Sequence, residues 1–139
     1  MAVLVDTGPL VAVLSKNDHF HDICVKTLRE IPAPLMSCWP VITEAAWLLR
    51  EDPRTIQRLL IGSNGNFLEL APLSGTEAAA IAGIMKRYAE LRPQLADAAL
   101  VYLADREKID TIFTLDRRDF SVYRPARRTR FRLLPDKLS

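Results

Sequence analysis

Four acidic residues stand in positions where a carboxylate is costly unless it does chemistry. Asp6 closes the apolar run AVLV at residues 2–5, in VDTGPL, and Asp116 follows TIFT at 111–114, in TLD. Short apolar runs with β-branched residues, ended by a polar turn, read as strands buried on both faces. Both carboxylates therefore lie just past the carboxyl ends of strands, where open α/β sheets bind ligands. In QLADAALVYLAD, residues Leu100, Val101 and Ala104 follow Asp97 by three, four and seven positions. A helix there places Asp97 on its apolar stripe. Glu44, in VITEAAWLL, shares a face with Val41, Ala45 and Leu48 in the same way. A charge on such a stripe is expensive unless it is paired or holds a metal. Each residue also has a plainer reading. Asp6 and Asp116 suit turns or caps, Asp97 suits a helix N-cap, and Glu44 suits a helix surface like its neighbours Glu51 and Asp52. Their joint occurrence is what points to a site.

The rest of the chain narrows the chemistry. There are only two histidines, His19 and His21, together in the polar break NDHFHD, where they read as surface residues. No Cys/His spacing for zinc occurs, no serine nucleophile with its partners is readable, and neither phosphate-binding glycine motif is present. A carboxylate-only cluster suits hard cations such as Mg²⁺ or Mn²⁺. The commonest chemistry of such sites is phosphoryl transfer.

The elements that must position these acids follow from pattern and caps. After the first strand, Pro9 suits the first turn of a helix reaching about Ser15. A second helix is predicted over 19–31, ending before Pro32, and Leu35 to Ser37 reads as a second strand. Pro40 opens a third helix to about Glu51, and Asp52-Pro53 caps a fourth to about Ile61. FLEL at 67–70 reads as a third strand. Ser74 and Glu77 form a capping box ahead of a helix to about Leu91. Another helix covers about 94–106, TIFT is the fourth strand, and Phe131 to Leu133 suits a fifth. LRPQ and the Arg-rich tail read as irregular. Alternating strands and helices indicate an α/β sandwich on a parallel sheet.

The 139 residues favour a single domain, and the 49% hydrophobic content supports one ordinary core. The net charge of +2 hides a split. Between Arg117 and Arg132, seven arginines face one acid, Asp119, for a local charge of +6; the remainder holds 12 basic and 16 acidic residues. Such a tract, with Tyr123 and Phe131 interleaved, reads equally as a docking surface for a polyanion or as a solvated edge. Cys24 and Cys38 read as small buried thiols in a reduced compartment. The apolar N-terminus lacks a basic leader, and no stretch approaches the roughly 20 apolar residues that span a bilayer, so a soluble cytoplasmic protein is expected.

Order, spacing and local sequence together resemble the PIN-domain family, specifically the VapC-like toxin ribonucleases of type II toxin–antitoxin systems. The likeness rests on VDTGPL at the end of the first strand, TEAAW on the third helix, LADAALVYLA before the fourth strand and TLDRRDF after it. It covers essentially the whole chain, read as one PIN domain over 1–139. The resemblance implies a three-layer α/β sandwich, with a central parallel sheet of about five strands flanked by helices. It implies that Asp6, Glu44, Asp97 and Asp116 hold Mg²⁺, with Mn²⁺ able to substitute, and carry out hydrolysis of RNA phosphodiester bonds. The expected products are a 5′-phosphate and a 3′-hydroxyl. Thr7 and Thr114 are similar to hydroxyls that orient the carboxylates or a metal-held water. Asp119 falls where some members have a further acid, and is given a supporting role or that of a cap in the RRDF turn. Arg117, Arg118, Arg127, Arg128 and Arg130 are candidate RNA contacts.

Expected partners are an RNA substrate, a small antitoxin and a second copy of the chain, with no membrane. Phe20, Ile23, Leu28, Trp47, Leu48, Ile56 and Leu59 are apolar residues from which a partner groove could be built, although the core must take most of them. Three other readings compete: a PIN nuclease of RNA processing, a phosphotransfer or receiver domain, and a catalytically silent nucleic-acid-binding module. Gly8 stands where the haloacid-dehalogenase type needs a second Asp, and four acids argue against a silent module.

Overall fold

The computed structural model describes residues 2–32, 34–63, 65, 67–125 and 130–138. Arg127 and Arg128 lie outside the described residues. The five expected strands are present as β1 (Leu4–Val5), β2 (Leu35–Ser37), β3 (Leu68–Leu70), β4 (Thr111–Phe113) and β5 (Arg132–Leu134). They form one sheet in the order β3-β2-β1-β4-β5, with every pairing parallel. From β1 the chain moves outward through β2 and β3, then returns to place β4 on the other side of β1. The switch point therefore lies between β1 and β4, where a ligand crevice is expected. Leu4 pairs with Ile112 and Val5 with Phe113, so residues 6 and 114 leave the sheet side by side.

The helices are α1 (Thr7–Leu14), α2 (His21–Glu30), α3 (Trp39–Leu48), α4 (Pro53–Gly62), α5 (Ala78–Arg87), α6 (Leu95–Glu107) and α7 (Arg117–Phe120). Local chemistry sets most of their ends. Asp52 caps α4 ahead of Pro53 and accepts from both the Thr55 amide and its hydroxyl. Helix α6 stops at Lys108, which adopts the left-handed conformation with φ 58°. The sheet is sealed by Val3, Leu4, Val5, Ile112 and Phe113, together with α6, whose Ala96, Ala98–Val101, Leu103 and Ala104 are all buried. α6 packs on α5 and α3, and α1 packs on α2 and α3. Gly62 is buried with the Phe67 ring against its Cα, leaving no space for a side chain.

Several expectations change. The capping box of Ser74 and Glu77 is present, but it opens a 3-10 turn, Gly75–Glu77, before α5. Helix α5 ends at Arg87, and a second 3-10 turn, Ala89–Leu91, fills the stretch expected to continue it. RRDF is not a turn but the short helix α7. Tyr123 and Phe131, read as part of a surface tract, belong to the core. They join Tyr88 and Phe120 in a chain of edge-to-face ring contacts, with the Phe120 and Tyr123 centroids 5.0 Å apart. His21 is half-buried rather than a surface residue, and its Nδ1 bonds the Ala12 carbonyl at 2.7 Å. Cys24 and Cys38 are both free and buried, as expected.

Candidate active site

β1 ends at Val5, and Asp6 caps α1, accepting from the Thr7 amide at 2.8 Å. β4 ends at Phe113, and Thr114 follows it, fully buried. The Thr114 hydroxyl donates to Asp6 Oδ2 at 2.8 Å and accepts from the Asp116 amide at 3.0 Å. One hydroxyl therefore fixes both strand-end acids. Asp116 in turn caps α7 by accepting from the Asp119 amide at 3.0 Å. This turn brings the Asp119 carboxylate round to the same side.

Asp97 comes from the first turn of α6. It is the third helical residue and not the N-cap, which is Gln94. Its Oδ2 accepts from the Gln94 amide and from the Tyr123 hydroxyl, both at 3.4 Å. Carboxylate oxygens of Asp97, Asp116 and Asp119 all lie within 4.8 Å of one another. Glu44 enters from α3, which packs on α6. With the Gln94 side-chain nitrogen turned toward it, Gln94 donates to both Glu44 oxygens at 3.0 and 3.3 Å.

The four acids singled out in the sequence thus line one cleft of about 430 Å³, joined by Thr7, Gly8, Leu48, Arg92, Gln94, Leu115 and Asp119. Leu48 is exposed on the cleft rim and does not share the core-facing side with Val41 and Ala45. The Thr7 hydroxyl, on a residue only 3% exposed, has no hydrogen-bond partner among the described residues.

The electrostatics follow from this crowding. Burial pushes Asp6 up to about 6, helped by the charges of Glu44 and Asp116 and opposed by its bonds from Thr114 and Thr7. Burial and the charge of Asp6 push Asp97 up to about 7, against its backbone bond from Gln94. Glu44 is raised by burial and by Asp97, and Asp119 by burial and by Asp116. Burial and the same acids keep the Tyr123 phenol far above its ordinary range, so it stays a neutral donor to Asp97. Like charges in a partly buried site disfavour ionisation, and a bound cation reverses that. The donor set is all oxygen, and one buried hydroxyl, that of Thr7, is unused among the described residues. These residues fit a hard divalent ion better than zinc or copper.

Asp119, expected in a supporting role or as a cap, has a carboxylate oxygen within 4.8 Å of those of Asp97 and Asp116. The spacing D-x-x-D at 116 and 119 would have placed both acids on one side of a helical turn. Gln94 was missed, although Q-x-x-D at 94 and 97 is a capping-box spacing. Arg92 and Tyr123 left no pattern that would find them.

Among the candidate RNA contacts, Arg118 and Arg130 are exposed. Arg117 is half-buried, and its Nε and Nη2 are shielded from solvent without a hydrogen-bond partner among the described residues. Arg124 caps the end of α7, its Nη1 donating to the carbonyls of Ser121, Val122 and Tyr123.

The chain is similar to known proteins in sequence and in fold. A family model described as "PIN domain" matches residues 3–125. "Ribonuclease VapC26" of Mycobacterium tuberculosis is 31% identical over 135 residues, covering 96% of this chain and all of the relative. The fold superimposes on a crystal structure of Mycobacterium tuberculosis VapC20, described as a sarcin-ricin loop cleaving toxin, with a TM-score of 0.73. That match covers 80% of this chain and 87% of the other at 15% identity, so it speaks for the fold alone.

Proposed function

The chain belongs to the PIN domain family, and from that premise we propose that it is a metal-dependent endoribonuclease, the toxin of a toxin–antitoxin pair, with residues 1–139 acting as one PIN domain. The observation that carries the reading is the convergence of Asp6, Glu44, Asp97, Asp116 and Asp119 on one cleft, with Asp6 and Asp97 held up at about 6 and 7.

Asp6, Asp97 and Asp116 would hold Mg²⁺, or Mn²⁺ in its place, and Asp119, within 4.8 Å of Asp97 and Asp116, would share that task. When bound, the ion supplies the Lewis acidity and positive charge that favour in-line attack of water on a phosphodiester. Thr114 orients Asp6, and Tyr123 and the Gln94 amide orient Asp97. Glu44, raised by burial and by Asp97 and met by the Gln94 side-chain nitrogen, would complete the ion's cage or orient the attacking water. The unpartnered Thr7 hydroxyl is placed to hold a water or a substrate oxygen. RNA is left with a 5′-phosphate and a 3′-hydroxyl. Exposed Arg118 and Arg130, with Arg127 and Arg128, contact the RNA backbone, which positions a strand without reading its sequence.

The proposal includes a small antitoxin and a second copy of the chain as protein partners. Exposed Trp39, Trp47, Leu48, Leu60, Ile61 and Leu95 support apolar contacts of that kind. No helix among the described residues is long and apolar enough to cross a membrane. The reading is tested by incubating the purified chain and its Asp116→Asn variant with RNA and Mg²⁺ and mapping the product ends. Cleavage by the parent alone, with 5′-phosphate ends, is expected. Equal cleavage by both proteins would refute the assigned site.

A further inference from the structure

Beyond the acids, the cleft wall carries Arg92, the one cationic side chain among its described lining residues. Arg92 is exposed, and no ion pair or side-chain hydrogen bond involves it among the described residues. Its backbone is left-handed, φ 50° and ψ 55°, closing the turn Ala89–Leu91 through its amide to the Ala89 carbonyl at 3.0 Å. The buried Pro93 follows directly and fixes where the chain leaves the turn. This conformation costs a side chain energy that glycine does not incur. A position whose backbone suits glycine thus presents a long cationic fork to a cleft lined by five carboxylates.

We propose that Arg92 is the substrate-phosphate clamp of this cleft, binding the non-bridging oxygens of the RNA backbone beside the acids. The proposal rests on the ribonuclease reading above. An acidic cleft repels a polyanion, and a bound ion offsets only part of five negative charges. A guanidinium at the wall supplies the missing attraction. Its planar donor fork matches two phosphate oxygens at once, which a carboxylate-rich wall cannot do. The flexible stem lets it meet a strand that enters from the open side. With no ion pair among the described residues, those donors are open to a ligand.

The conformation of residue 92 gives a clean test, because Arg92→Gly removes the side chain while relieving the backbone. Arg92→Gly and Arg92→Lys are compared with the parent by cleavage of a short RNA in Mg²⁺. Binding of the same RNA is measured across salt concentrations in Ca²⁺, and melting temperature is measured with and without Mg²⁺. Arg92→Gly is expected to melt at or above the parent temperature and to keep its Mg²⁺-induced rise. It should lose about 10- to 100-fold in kcat/KM, the worth of one charge-assisted contact. Its salt slope for single-stranded RNA should flatten by about 0.7, one phosphate contact. Arg92→Lys should recover part of both.

A parent that cleaves RNA, with an Arg92→Gly variant equal to it in rate and salt slope, overturns the clamp and leaves the ribonuclease reading intact. A parent that binds but does not cut RNA, with binding weakened by Arg92→Gly, overturns the ribonuclease reading and keeps the clamp. A parent that neither binds nor cuts RNA overturns both.

Discussion

The Thr114 hydroxyl donates to Asp6 Oδ2 at 2.8 Å, joining the ends of β1 and β4 across 108 residues of sequence. The same oxygen receives the Asp116 amide at 3.0 Å. A single buried hydroxyl therefore sets the orientation of one carboxylate and the backbone that carries another.

Replacing Thr114 by Val keeps the volume and removes that hydroxyl. Asp6 then loses a bond that lowers its pKa, and should ionise only above its present value of about 6. RNA cleavage at pH 7 is expected to fall about 10- to 100-fold, the usual loss when a group that orients a metal ligand is removed. The buried groups left unpaired should cost about 1–3 kcal/mol of stability. Thr114→Ser should restore both. Activity and denaturant midpoints of the two variants check this.

The metal-free protein should be more stable at pH 5 than at pH 7.5. Asp6 and Asp97 have folded-state values of about 6 and 7 against an ordinary 3.8. The folded form then holds more protons between roughly pH 4 and 7, so stability falls as pH rises through that window. Glu77, bound by Tyr102 and Arg106, is shifted the other way, down to about 2 from 4.5. Its contribution is lost only on further acidification and leaves the range from pH 5 to 7.5 untouched. Melting in chelator should show a temperature higher by about 3–7 °C at pH 5, taking about 1–2 kcal/mol in a chain of this size. Added Mg²⁺ should reverse the trend, because it binds the ionised acids. A flat profile between those pH values would show that the carboxylates do not crowd one another.

Asp97→Asn removes one charge from the cleft while leaving an oxygen able to accept from the Gln94 amide or Tyr123. RNA cleavage should be lost. The melting temperature of the metal-free variant should equal or exceed that of the parent, since one repulsive charge is gone. The rise in melting temperature on adding Mg²⁺ should shrink, because that rise measures binding to the native state. Were Asp97 merely a structural cap, cleavage and the Mg²⁺ response would both survive the change.

The Arg-rich segment divides by what each arginine touches. Arg118→Ala and Arg130→Ala should each flatten the salt dependence of RNA binding by about 0.7, without moving the melting temperature. Arg124→Ala should instead lower stability, because its Nη1 caps the carbonyls of Ser121, Val122 and Tyr123. Binding isotherms across salt concentration, with thermal melts alongside, separate the two classes. An unchanged slope in both Arg118→Ala and Arg130→Ala would make the tract a solvated edge.

Much of the fold and the main acids were legible because their signals are local. AVLV and TIFT are apolar runs that could only be buried strands, and a buried parallel sheet needs little more than such runs separated by helices. Asp6 and Asp116 were visible as the polar residues that end them. Asp97 and Glu44 showed through helical periodicity. What stayed hidden depends on contacts far apart in sequence. Nothing in the order of residues says that Tyr123 turns inward to Asp97, or that the arginines around it stay outside. Its burial is set by Tyr88, Phe120 and Phe131, which only the folded chain assembles. The left-handed conformation of Arg92 likewise follows from where the 3-10 turn Ala89–Leu91 stops, and helix ends are the least certain feature of a periodic pattern.

The central claim is that this cleft works through a divalent ion held by carboxylates. It is tested most directly by following RNA cleavage by the purified parent protein in Mg²⁺, in Mn²⁺ and in EDTA, then restoring the metal in excess. Cleavage in either metal, its loss in chelator and its return on adding back Mg²⁺ are the expected results. Undiminished cleavage in EDTA would contradict the account, since no histidine, cysteine or lysine lines the cleft among the described residues.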